Sequence, residues 1–149
     1  MAPLTDRTID ALSAEHKILA ATVRDLTDDQ LTLSSAAAEW TVAQVLSHLG
    51  SGAEITTAGL QAALGRRTAP DENFNPSVWD RWNAMSPVQQ RAGFLKHDAV
   101  LVAAVTALDQ QQRETLQWPS TAPGSTRPGP PAVAWRHCPR GRSPRSRQP

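Results

Sequence analysis

The side chains of this 149-residue chain best suited to bind a soft or borderline metal, or to move a proton near neutral pH, are His16, His48, His97, His137 and Cys138. His48 has the best-defined setting. It lies in residues 39–50, EWTVAQVLSHLG, a stretch that opens with a complete helix-start signal. Thr41 is a good N-cap, and Gln44 three residues on can reach back to the Thr41 N–H, the reciprocal arrangement of a capping box. Trp40, just outside the cap, can pack on Val45 as a hydrophobic staple. Val42, Val45, Leu46, Leu49, Ala53, Leu60 and Leu64 then recur at helical spacing until Gly65 supplies a stop. At about 100° per residue, His48 lies roughly 120° from the centre of that stripe and about 60° from Val45. It is therefore expected on the rim of the helix, where an imidazole can point into a cleft between helices and serve as a metal ligand.

The other candidates are weaker. His16 falls on the apolar stripe of a first helix, with Ile9, Leu12, Leu19, Val23 and Leu26, and is read as a histidine satisfied at the edge of the core. His97 falls about 200° from Leu95, opposite the stripe of a later helix, so a solvated histidine is expected. His137 and Cys138 are both soft ligands. Their neighbour Pro139 and the composition around them argue against a formed site.

Three long helices must position these groups, near residues 5–26, 42–64 and 87–108. The link between the first two holds one short helical turn, Asp28-Asp29-Gln30-Leu31, and then small residues without a periodic apolar face. After Gly65 the chain reads as a loop with a helical turn opened by Asn75 and Pro76. Trp79 and Trp82 are three apart and share one face of that turn; they either cover the end of the bundle or line a pocket for a thiol or small acid. Ser86, Pro87 and Gln89 start the last helix with a second capping box. Its expected stripe is Val88, Ala92, Leu95, Ala99, Val102 and Val105, with Leu108 near the end. The predicted fold is all-α, an antiparallel up-and-down helical bundle.

A chain of this length is expected to hold one domain with a real core. The single Cys138 excludes an intramolecular disulfide framework and points to a reducing, cytoplasmic setting. No apolar run approaches the roughly 20 residues of a membrane span, and the acids of the N-terminal stretch are unlike a signal peptide. The formal net charge of +1 conceals an asymmetry: residues 1–118 hold all 14 acids and nine bases, whereas residues 119–149 hold six arginines and no acid. Residues 119–149 also hold eight of the 12 prolines and no periodic apolar segment, so a disordered tail is expected.

Trp40–Leu49 reads W-T-V-x-x-V-L-x-H-L, and Leu26–Leu31 reads L-T-D-D-Q-L. Together they resemble the N-terminal domain of mycothiol-dependent maleylpyruvate isomerases, part of the DinB/YfiT-like helical bundle superfamily. The resemblance covers residues 5–118 and implies a four-helix bundle in which the histidine matching His48 is one of three ligands to a divalent metal, usually zinc. The other two ligands are a Glu and a His four apart on a later helix. No Glu-x-x-x-His occurs here: four residues after Glu114, the last acid, stands Trp118. Only His48 transfers. The implied chemistry is zinc lowering the pKa of the mycothiol thiol, whose thiolate adds to an electrophilic substrate; maleylpyruvate is isomerised about its double bond, and other members act as thiol transferases. The full-length isomerases also carry a later C-terminal domain that is not in this sequence.

The Pro/Arg-rich tail stands where the resemblance places the fourth helix. Residues beyond about Ser120 are read as out-of-frame translation of a gene that encoded that helix, since a GC-rich strand read in the wrong frame yields this Arg, Pro, Gly, Ser and Ala bias. Residues 1–118 would then be an incomplete metal-binding domain of reduced or no activity, with an apolar groove that favours self-association. The alternative is a non-catalytic helical module whose Arg140, Arg142, Arg145 and Arg147 make loose phosphate contacts on nucleic acid or engage a partner.

Overall fold

Four helices begin at a capping box written into the local sequence. The computed structural model describes residues 3–37 and 39–116, all within one unit, Met1–Pro119. The described residues form α1 (Leu4–Asp25), α2 (Asp28–Leu31), α3 (Val42–Ala63), α4 (Phe74–Asn83), α5 (Pro87–Thr106) and α6 (Gln110–Thr115). Thr27, Thr41, Ser86 and Asp109 cap α2, α3, α5 and α6, each paired with a glutamine three residues later. In α3 the Thr41 hydroxyl accepts from Gln44 N–H at 3.2 Å while Gln44 Oε1 accepts from Thr41 N–H at 2.8 Å. Two orphan donors of the helix start are thereby satisfied. At the other end of α3, Gly65 turns left-handed at φ 68°. Its N–H donates to Ala62 C=O at 2.9 Å and Arg66 N–H to Gln61 C=O at 2.8 Å, a Schellman motif that requires the missing Cβ.

The described residues contain no β-strand, only an isolated bridge between Ser34 and Thr41 in the α2–α3 link. The all-α class and the three long helices are as expected. Two local starts differ. α4 begins at Phe74, not after an Asn75 cap, and Pro76 sits inside its first turn, where a missing N–H costs nothing because those donors have no intrahelical partner. α6 is too short to carry an apolar period, and only its Asp109–Gln112 box marks it. The expected disordered tail, with His137 and Cys138, lies outside the described residues.

Direction follows from which residues meet. Asp6 pairs with Arg113, His16 with Asp98, and Leu26 C=O with Arg91, so α1 runs antiparallel to α5. Gly50 meets Phe94 while Glu54 meets His97, so α3 and α5 advance side by side in the same direction. Strict alternation gives way here because the chain between them, including α4, is long enough to return along the bundle.

Helix α5 packs on α3 most extensively and also on α1 and α2. Val23, Leu31, Ala43, Leu46 and Phe94 form the apolar core, flanked by Leu26, Val42 and Leu95. The predicted stripes are buried at Leu46, Ala53 and Leu60 on α3 and at Val102 on α5, but not along their whole length. On α3, Leu49 is 41% exposed, whereas Ala43, Ser47, Gly50 and Ser51 are buried. On α5, Val88, Ala92 and Ala99 are exposed, and the buried row is Gln90, Phe94 and Val102. The reason is steric. The two helices approach closely enough that a Cβ on Gly50 would lie 3.0 Å from Phe94 Cα, so the seam around Gly50 selects small residues such as Ser47 and Ser51.

Candidate functional site

His48 stands on α3 two turns past the Thr41 cap, on the exposed side of the helix. Its ring meets the half-buried Trp40 edge-on, with centroids 5.3 Å apart and planes at 63°. The capping box fixes where the helix begins, and the helical repeat then carries Trp40 and His48 to the same side. The backbone C=O of His48 accepts from Ser51 Oγ at 3.1 Å. His48 thus offers an imidazole at the surface beside an aromatic wall.

His16 is held elsewhere. Its Nδ1 lies 2.5 Å from Asp98 Oδ2, and both side chains are largely covered, so the expected satisfied histidine at the core edge is a cross-link between α1 and α5. Among the described residues no group of three or more His, Cys, Asp or Glu side chains could hold a metal ion. The described residues therefore do not by themselves fit the zinc that the resemblance implies.

A second cluster joins α3, α4 and α5 around Glu54. Arg81 donates to Glu54 Oε1 at 2.5 Å and the Trp82 indole N–H donates to Oε2 at 2.9 Å. His97 Nε2 lies 3.6 Å from Oε2, and its ring meets the Trp82 ring edge-on with centroids 5.6 Å apart. Trp82 is wholly buried. Its ring fits only because Gly50 and Gly93 lack side chains, as a Cβ on Gly93 would lie 2.7 Å from Trp82 Cη2. Burial alone would raise the Glu54 pKa. The hydrogen bonds from Arg81 and Trp82, with the charges of His97 and Arg81, outweigh it and hold the carboxyl below its ordinary 4.5. Burial lowers the His97 pKa below 6.5, aided by Lys96 and Arg81 and opposed by Glu54. At neutral pH the cluster is therefore a carboxylate–guanidinium pair beside a neutral imidazole. Both carboxylate oxygens already accept N–H donors, so the cluster is a joint between helices and not a vacant cation site.

The solvated His97 expected from periodicity is corrected by this geometry: its side chain is only 23% exposed. Leu95 does not mark the centre of the buried face of α5, which runs through Gln90 and Phe94, and His97 continues that row. Trp79 and Trp82 likewise part company, with Trp79 at the surface and Trp82 in the core. One sequence signal pointed to the cluster. Glu54 is the only Asp, Glu, Lys or Arg in the 22 residues of α3, and a lone acid on an apolar helix needs partners.

The fold is thus an all-α helical bundle, with an imidazole displayed on the helix that follows a W-T-V cap. A family model for the mycothiol maleylpyruvate isomerase N-terminal domain matches residues 12–139, and the chain belongs to that family. Comparison with curated proteins and with solved structures found no match. No described helix is long and apolar enough to cross a membrane.

Proposed function

We propose that this chain is a divalent-metal-binding domain of the mycothiol-dependent isomerase and thiol-transferase type, incomplete as translated, in which His48 is a metal ligand. The observation that carries this reading is the family match over residues 12–139 together with the accessible imidazole of His48 on α3. One imidazole does not hold zinc for catalysis, which ordinarily takes three protein ligands and an open position. Further ligands must come from outside the described residues or from a partner chain. The domain's substrates would be a small thiol, mycothiol, and an electrophile.

The codons for Arg140, Gly141, Arg142, Ser143, Pro144 and Arg145 can be read one base later as Glu-Val-Glu-Val-His. This needs A in the third position of the Arg140, Arg142 and Pro144 codons, T in that of Gly141, AGT for Ser143, and C opening the codons of Arg142 and Arg145. Such a frame would restore the Glu-x-x-x-His spacing that the resemblance implies. Nucleotide sequencing checks it directly, and a frame with no Glu-x-x-x-His ends the proposal of an out-of-frame fourth helix. In the protein, zinc measured by elemental analysis should be low for the chain as it stands and rise towards one per chain once the frame is restored. It should fall again in that protein on His48→Ala, with helicity nearly unchanged because the residue is exposed. Zinc uptake that ignores His48→Ala refutes the ligand assignment.

A further inference from the structure

The Glu54 joint holds two basic partners of unequal exposure. Arg81 reaches the carboxylate from the surface, with its side chain 49% exposed, whereas His97 lies 23% exposed beneath it. Glu54 and the two bonds it accepts, from Arg81 and from Trp82, are the hydrogen-bonded attachment of α4 to α3. We propose that His97 is a proton-operated release for this attachment: its protonation weakens the Arg81–Glu54 pair and lets the guanidinium turn to solvent, loosening α4.

The argument is one of charge and solvation. With His97 neutral, one carboxylate balances one guanidinium. A proton on His97 places a second cation at 3.6 Å from the same carboxylate, so the pocket holds one negative and two positive charges. The covered imidazolium has little water to solvate it and must draw on Glu54. Arg81 is half in water already and gives up its partner at low cost. The groups facing His97 are Glu54 from α3 and Arg81 with Trp82 from α4, while Lys96 stands beside it on α5 and adds positive charge. The neighbouring Asp98 is engaged by His16 from α1 and so does not supply a second counter-ion. Reciprocity supports the direction: the Arg81 charge disfavours protonation of His97, so a proton on His97 disfavours Arg81 in its present place by the same coupling.

The test uses the full chain. The His97 ring resonances are followed by NMR from pH 7.5 to 5, with the Trp82 indole N–H resonance as reporter of the joint. His97 should titrate with a midpoint below 6.5, and the indole resonance should move with the same midpoint. Thermal unfolding then compares Arg81→Gln with the wild type: the loss of Tm should be clear at pH 7.5 and at least halved near pH 5. In a His97→Asn background the loss should be the same at both pH values. A His97 ring that stays neutral to pH 5, an indole resonance that ignores it, or an equal Arg81→Gln cost at both pH values in the wild-type background overturns the proposal. The two NMR readings decide the matter on the unmodified protein if His97→Asn does not fold.

Discussion

Two glycines one half-turn apart on α3 should respond to the same substitution with opposite signs. An alanine Cβ at Gly50 would overlap Trp82 Cη2, lie 2.7 Å from Cζ3 and stand 3.0 Å from Phe94 Cα, whereas a Cβ at Gly52 meets nothing within 4 Å. Trp82 cannot swing aside, being wholly buried and tied to Glu54 through its indole N–H; Phe94 Cα is backbone. Overpacking of this kind costs about 1–3 kcal/mol, and the upper end applies where neither neighbour can yield. Replacing a helical glycine with alanine returns about 1 kcal/mol of helix propensity. Gly50→Ala should therefore destabilise by about 2 kcal/mol net, and Gly52→Ala should stabilise by about 0.5–1 kcal/mol. For a domain of this size the two variants should melt roughly 10 °C apart. Thermal and urea unfolding followed by circular dichroism at 222 nm measure both. A Gly50→Ala protein as stable as the wild type, or a Gly52→Ala protein destabilised to the same degree, refutes the close α3–α5 seam.

Thr41→Ala removes the side-chain half of the α3 capping box and should cost about 1 kcal/mol, read as a lower urea midpoint with an unchanged slope. Glu54→Gln should destabilise by about 1–3 kcal/mol at pH 7, because the amide carries no charge and its single oxygen can accept from only one of Arg81 and Trp82, leaving an NH2 against the other donor. The acid dependence has a definite sign. Glu54 titrates below its ordinary 4.5 when folded, so its contribution is fully present above about that value and is lost as pH falls through the folded pKa. The gap in stability between wild type and Glu54→Gln should accordingly narrow on acidification. A gap that widens towards pH 3 would mean that Glu54 is not stabilised as the carboxylate.

Local chemistry was legible without any tertiary information. The boxes Thr41–Gln44 and Ser86–Gln89 act over three residues, and Gly65 acts on the turn beside it, so each helix boundary they set is decided by neighbours in the chain. The place of His48 on α3 follows from the same cap and the helical repeat. What faces what is a different matter, because α5 is covered on several sides by α1, α2 and α3 and carries no single apolar stripe for periodicity to find. Leu49 and Val88 therefore point outward where apolarity suggested burial, and Phe94 and Gln90 lie inside. The Glu54 joint draws its donors from residues 27 and 28 positions away, and His97 from farther still. Only the close approach of two helices at Gly50 and Gly93, which opens a slot wide enough for the Trp82 ring, brings those groups to one carboxylate. Spacing along the chain carries no information about a separation set by a missing Cβ on one helix and a buried indole from another.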